Sequence, residues 1–103
     1  MYMHRVCIYP KPENIDDVRT MFVERIKSRQ AQGARAEFTE LVSGSKTPQF
    51  AVSTLYEDMA AFEAAQQMYQ SDAGAQSFLA KLGLLIREPL ANDLLEVLLP
   101  MPR

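Results

Sequence analysis

Phe50-Ala51-Val52-Ser53-Thr54-Leu55-Tyr56-Glu57-Asp58 is a β-branched and aromatic run that stops at two acids, and beyond it Phe62, Ala65 and Tyr69 recur at three- and four-residue steps. The first part has the character of a strand and the second the period of a helix. Asp58 stands at the junction, where a side-chain oxygen can take up a free N–H of the first helical turn. Upstream, Ser43-Gly44-Ser45-Lys46-Thr47-Pro48 is a short polar turn. Before that turn Ala36 to Val42 alternate, with Phe38, Glu40 and Val42 on one side and Glu37, Thr39 and Leu41 on the other. The two runs make a β-hairpin.

The rest of the chain builds outward from this hairpin. Ile15, Val18, Phe22 and Ile26 place one face of a helix in the core, Gly33 stops it, and Asn14 with Asp17 three residues on resembles a capping arrangement. Arg19, Arg25, Lys27 and Arg29 fall on the other face and read as solvated charge. Met3 to Tyr9 is a strand closed by Pro10 and Pro12. After the hairpin's helix, Ser71-Asp72-Ala73-Gly74 interrupts the period and Phe78, Leu79, Leu82 and Leu85 restore it, so the second helical region is split. Pro89 and Asn92-Asp93 form a break, and Leu94 to Leu99 is a last strand closed by Pro100 and Pro102. The order β-α-β-β-α-β predicts an α+β, ferredoxin-like domain with a four-stranded antiparallel sheet.

At 103 residues the chain supports one core, so residues 1–103 form a single domain. Hydrophobic residues make up 48% and charged residues 23%, a globular rather than a disordered balance. Eleven Lys and Arg against thirteen Asp and Glu leave a net charge of −2, without the basic excess that phosphate binding uses. Nucleic acid is not an expected partner, and no aromatic, basic, glycine-containing strand motif of an RNA-recognition domain occurs. The single cysteine, Cys7, cannot close an internal disulfide, and no leader or 18-residue apolar span is present. A cytoplasmic location without membrane contact is expected.

Two helical regions can cover one face of a four-stranded sheet, yet residues of both parities are apolar: Val6 and Ile8 against Cys7 and Tyr9, Phe50 and Val52 against Ala51 and Leu55, Leu94 and Leu98 against Leu95, Val97 and Leu99. Each such side chain left in water forfeits about 1.5–3 kcal/mol. The expected cover is a second copy, giving a homodimer through the sheet face; the competing arrangement folds the helices and the C-terminal tail over both faces.

Pro10-Lys11-Pro12, the run Phe50 to Asp58 leading into Phe62-Glu63-Ala64, and Ser77-Phe78-Leu79-Ala80-Lys81-Leu82-Gly83 together resemble the dimeric α/β-barrel proteins of the antibiotic-biosynthesis-monooxygenase type. The resemblance implies two ferredoxin-like subunits packed sheet to sheet, with an apolar pocket in each. It also implies a cofactor-independent oxygenase acting on a small aromatic or polyketide-like substrate. The family often carries Trp where this chain has Tyr56, and a His common in its second helical region is missing, since the only histidine is His4. Haem degraders of the group use an Asn, a His and a Trp, and this chain has no Trp.

Candidate chemistry is sparse. No G-x-S-x-G, G-x-G-x-x-G or P-loop occurs, and no flavin or metal motif, so neither cofactor nor metal is expected. His4 and Cys7 lie three residues apart on a strand and point to opposite faces, which excludes a metal site built from those two. The candidate catalytic residues are His4 as a base, Tyr56 as a hydroxyl that orients a phenolic or carbonyl oxygen, and Arg87 as a stabiliser of an enolate or phenolate. Tyr9, Phe50 and Val52 are the candidate substrate contacts. The alternative is a non-catalytic homodimeric module that binds a small apolar ligand or serves assembly alone.

Overall fold

A computed structural model describes residues 1–102. Its elements are β1 (Tyr2–Ile8), α1 (Ile15–Ala31), β2 (Arg35–Glu40), β3 (Phe50–Tyr56), α2 (Met59–Ser71), α3 (Ala73–Gly83) and β4 (Ala91–Glu96), with a single 3₁₀ turn at Pro12–Asn14 leading into α1. The four strands form one antiparallel sheet in the order β2-β3-β1-β4. This is the ferredoxin-like arrangement expected from the element order, with the second helical region divided in two.

Register fixes which residues share a face. Tyr2, His4, Val6 and Ile8 of β1 stand opposite Tyr56, Thr54, Val52 and Phe50 of β3, and Val52 stands opposite Phe38 of β2. This face meets the helices. Ile8 and Val18 are wholly buried and Phe50 nearly so, with Phe22, Ile26, Val52 and Leu82 completing the core. Phe22 stacks on Phe38 at 5.3 Å and meets Phe78 edge-on at 5.0 Å, and Phe38 stacks on Phe50 at 5.1 Å. The stripe of Val18, Phe22 and Ile26 on α1 is therefore the helical half of the core.

Helix ends are set by specific bonds. The Asp58 carboxylate accepts from the Ala61 N–H at 2.8 Å, and the Asp72 carboxylate accepts from the Gly74 N–H at 2.8 Å, which splits α2 from α3. Asn14 precedes α1 without a side-chain capping bond, so the expected cap is absent there; the 3₁₀ turn, closed by Asn14 N–H to Lys11 C=O at 2.9 Å, leads into the helix instead. At the other end Gly33 adopts φ +95°, while Gly33 N–H and Ala34 N–H donate to the carbonyls of Gln30 and Arg29, each at 3.0 Å. That pair of bonds is a Schellman closure, which favours glycine at this position.

Two expectations are corrected. The last strand covers Ala91–Glu96 rather than Leu94–Leu99, and it includes Asn92 and Asp93, read from sequence as a break. Polar residues cost little there, because β4 is an edge strand and Asn92 and Asp93 stay exposed. Leu98 and Leu99 lie beyond the strand, 87% and 89% exposed. The second face of the sheet is also less apolar than expected. Met3, Cys7, Leu55 and Leu95 lie on it, but so do Arg5, Arg35, Glu37 and Asp93, with Arg5 directly opposite Asp93. The tail only skirts this face, where Pro100 and Met101 border a groove with Met3 and Leu55.

Candidate functional site

A cleft of about 960 Å³ opens on the helix side of the sheet, between α1, α2 and the end of β3. Its floor is polar. Thr54 and Tyr56 are two residues apart on β3, so both side chains point toward the helices. Asp58 starts α2 immediately afterwards and thereby brings Phe62 edge-on to Tyr56 at 5.6 Å. One wall is the last two turns of α1, which carry Arg25 and Arg29; the other is α2, with Ala65 and Tyr69.

Arg29 occupies the middle of this arrangement. Its Nη2 donates to Thr54 Oγ1 at 3.2 Å, and its guanidinium lies 5.4 Å from the centre of the Tyr69 ring. Arg25, one turn earlier, lies 4.7 Å from the centre of the Phe78 ring. Burial raises the Tyr56 phenol above its ordinary value of 10, and Tyr69 adds to the rise while Arg29 opposes it. Tyr56 is therefore a neutral hydrogen-bond donor over the physiological range.

His4 belongs to the same face but not to the lining of the cleft. It stands opposite Thr54 in register, its ring meets Phe62 edge-on at 5.4 Å, and its Nε2 is 3.2 Å from Asn92 Oδ1. Phe62 thus touches both His4 and Tyr56. Burial lowers the His4 imidazole below its ordinary 6.5; the Asn92 bond opposes this, and the charge of Arg29 adds to it.

The other candidates from sequence lie elsewhere. Arg87 donates to the carbonyls of Pro10, Pro48 and Lys46 at 2.9, 2.8 and 3.1 Å, tying β1 and the hairpin loop to the approach to β4. Tyr9 lies between Lys46 and Arg87, at 5.6 and 5.5 Å from its ring centre. Phe50 and Val52 are core residues, 1% and 6% exposed. Of the six candidates only Tyr56 lines the cleft.

Arg25 and Arg29 were assigned to a solvated face, and the structure places both in the cleft wall. The signal in the sequence is their spacing: Arg25 follows Phe22 by three and Arg29 follows Ile26 by three, which puts both on the shoulder of the buried stripe. Among the described residues no cluster of three or more His, Cys, Asp or Glu is placed to hold a metal ion, and no helix is long and apolar enough to cross a membrane.

A ferredoxin-like sheet with a helix-side cleft is the class this geometry defines. No family model and no curated protein matches the sequence. Solved structures do match in fold. Rv0793 from Mycobacterium tuberculosis superposes with a TM-score of 0.76 at 16% identity, covering 98% of each chain. An uncharacterized NIPSNAP domain protein from Burkholderia xenovorans gives 0.79 at 13% identity over 100% of both chains. An antibiotic biosynthesis monooxygenase gives 0.72 at 15% identity, covering 95% of this chain and 99% of the other. The fold is thus the one that the resemblance in sequence implied.

Proposed function

We propose that the helix-side cleft binds a small aromatic compound and that the protein acts on it as a cofactor-independent oxygenase, working in the cytoplasm as a homodimer paired through the open sheet face. The observation that carries this reading is Tyr56, a protonated phenol at the floor of a cleft large enough for a drug-sized ring system. A neutral donor there would hold the oxygen of a phenolic or enolic substrate as negative charge develops on it.

The reaction balances without a cofactor. A ring CH₂ flanked by aromatic carbonyl or phenol groups loses one proton, and the carbanion transfers its electrons to dioxygen to form a C–O bond. The resulting peroxide anion takes up a proton, and the hydroperoxide so formed loses water to leave C=O; overall CH₂ and O₂ become C=O and H₂O. Incubation with anthrones, which carry that CH₂, in an oxygen electrode should show dioxygen uptake with quinone formation; quinols, which give two electrons and two protons to dioxygen, should yield quinone and H₂O₂. Tyr56→Phe is expected to lower turnover about 10- to 100-fold while leaving the protein folded. No turnover across such a panel would overturn the oxygenase reading.

A second reading, a non-catalytic homodimeric binding module, is favoured by one observation: the only imidazole, His4, lies beside Phe62 and outside the cleft lining. Ligand binding in the absence of oxygen uptake would select it.

A further inference from the structure

We propose that Arg29, with Arg25 beside it, is the binding site for an acidic group, so that the planar aromatic ligand of the cleft is one that carries a carboxylate. This rests on the reading of the cleft as an aromatic-ligand site and names which aromatics it takes.

Helix α1 supplies its own control. Arg19 shows a satisfied arginine: it holds Glu40 through two bonds of 3.0 Å and Asp16 through one of 2.6 Å. Arg25 and Arg29 have no such partner. Among the described residues no carboxylate lies within 4.0 Å of either, although both are half-buried. The positions three and four away from each along the chain hold Met21, Phe22, Ser28, Ile26, Gln32 and Gly33, besides each other. Two like charges four residues apart repel, and no acid stands three or four residues from either to offset it.

The acids along the cleft keep their charge but none forms an ion pair with Arg25 or Arg29, and Arg35 adds a third guanidinium to the lining. Tyr56 could have been a phenolate beside Arg29, but burial keeps it protonated. Of the acids along the cleft, Asp58 and Asp72 are engaged by the N–H groups they cap, and Glu24 and Glu57 are exposed at the rim. What Arg29 does have is two neutral hydroxyls, Thr54 and Tyr56, and a ring, Tyr69. A half-buried guanidinium with an aromatic platform and free N–H groups favours a flat anion, which it can bind through two parallel hydrogen bonds. The uncompensated charge of Arg29 is also felt at His4, whose charged form it disfavours.

Fluorescence titration of the full chain at pH 7 with 2-naphthoate and 2-naphthol separates the possibilities, because the two share a ring system and differ in charge. Naphthoate is expected to bind at least tenfold more tightly. That preference should vanish in Arg29→Gln, shrink in Arg25→Gln, which disturbs no contact to the sheet, and persist in part in Arg29→Lys; thermal melts establish that each variant is folded. Equal binding of the two rings, or a preference unchanged in both glutamine variants, overturns the proposal and leaves the cleft as an aromatic site. Binding of neither ring to the parent protein overturns both.

Discussion

The His4 imidazole is half-buried between Phe62 and Asn92, and that environment links it to stability. Its native pKa is depressed below 6.5, so as pH falls the unfolded chain takes up a proton that the native chain resists. Its contribution is complete above about 6.5, the value in the unfolded chain, and is lost as pH drops from there through the native value. Urea denaturation from pH 7.5 down to 5 should show a falling midpoint, and His4→Gln should flatten that part of the profile; an unchanged slope would remove His4 as its source. Arg29 shows a different residue-scale effect. A charged residue on a helix reads as solvent-facing, but its long stem can run along the shoulder of an apolar stripe and deliver the charge inward. Tyr56 was legible as a candidate because its ring and hydroxyl suit an apolar pocket with a polar edge, and the structure puts it in the cleft lining; for Arg29 the spacing from Ile26 was there to read, but not where its flexible stem bends.

At the scale of elements, two acidic caps govern the helices that wall the cleft, while α1 starts without one. Asp58→Ala should cost about 1 kcal/mol of folding stability, because the Ala61 N–H loses its acceptor. Asn14→Ala should cost much less, because no side-chain bond is there to lose. Paired urea curves on the two variants test the contrast, and equal losses would contradict the cap assignment. β3 and the buried stripe of α1 were legible because both are packed on the core, where apolar periodicity has to be kept. β4 was displaced by three residues at its start, because an edge strand with exposed faces can hold Asn92 and Asp93 without desolvating them, and its polar start then looks like a turn. The cleft itself, a gap between α1 and α2, leaves only the spacing of Arg25 and Arg29 from the buried stripe as its trace in the sequence.

For the whole molecule, the proposed pairing through the open sheet face is the property to test. Met3, Leu55 and Leu95 form an apolar centre there, while Arg5 and Asp93 stand opposite one another beside it. Charged residues next to an apolar centre suit a second copy better than bulk lipid, because they give the interface orientation. Sedimentation velocity at micromolar concentration should give a species of twice the 11.7 kDa chain mass, and Leu55→Asp should shift it to the single-chain value. A lone protomer in the parent protein would refute pairing through this face.

The topology carries one more consequence, for how the chain reaches this state. β1 is a central strand, and its neighbour β4 is nearly the whole chain away: His4 and Asn92, in bonding contact, are 88 residues apart. A chain emerging from the ribosome therefore makes β1 well before β4 and holds that ladder edge open until residues 91–96 have been synthesised. Release of a truncated chain lacking β4 would leave that edge bare, a template for pairing with another molecule, so termination before Ala91 should yield insoluble material rather than a shortened, functional domain.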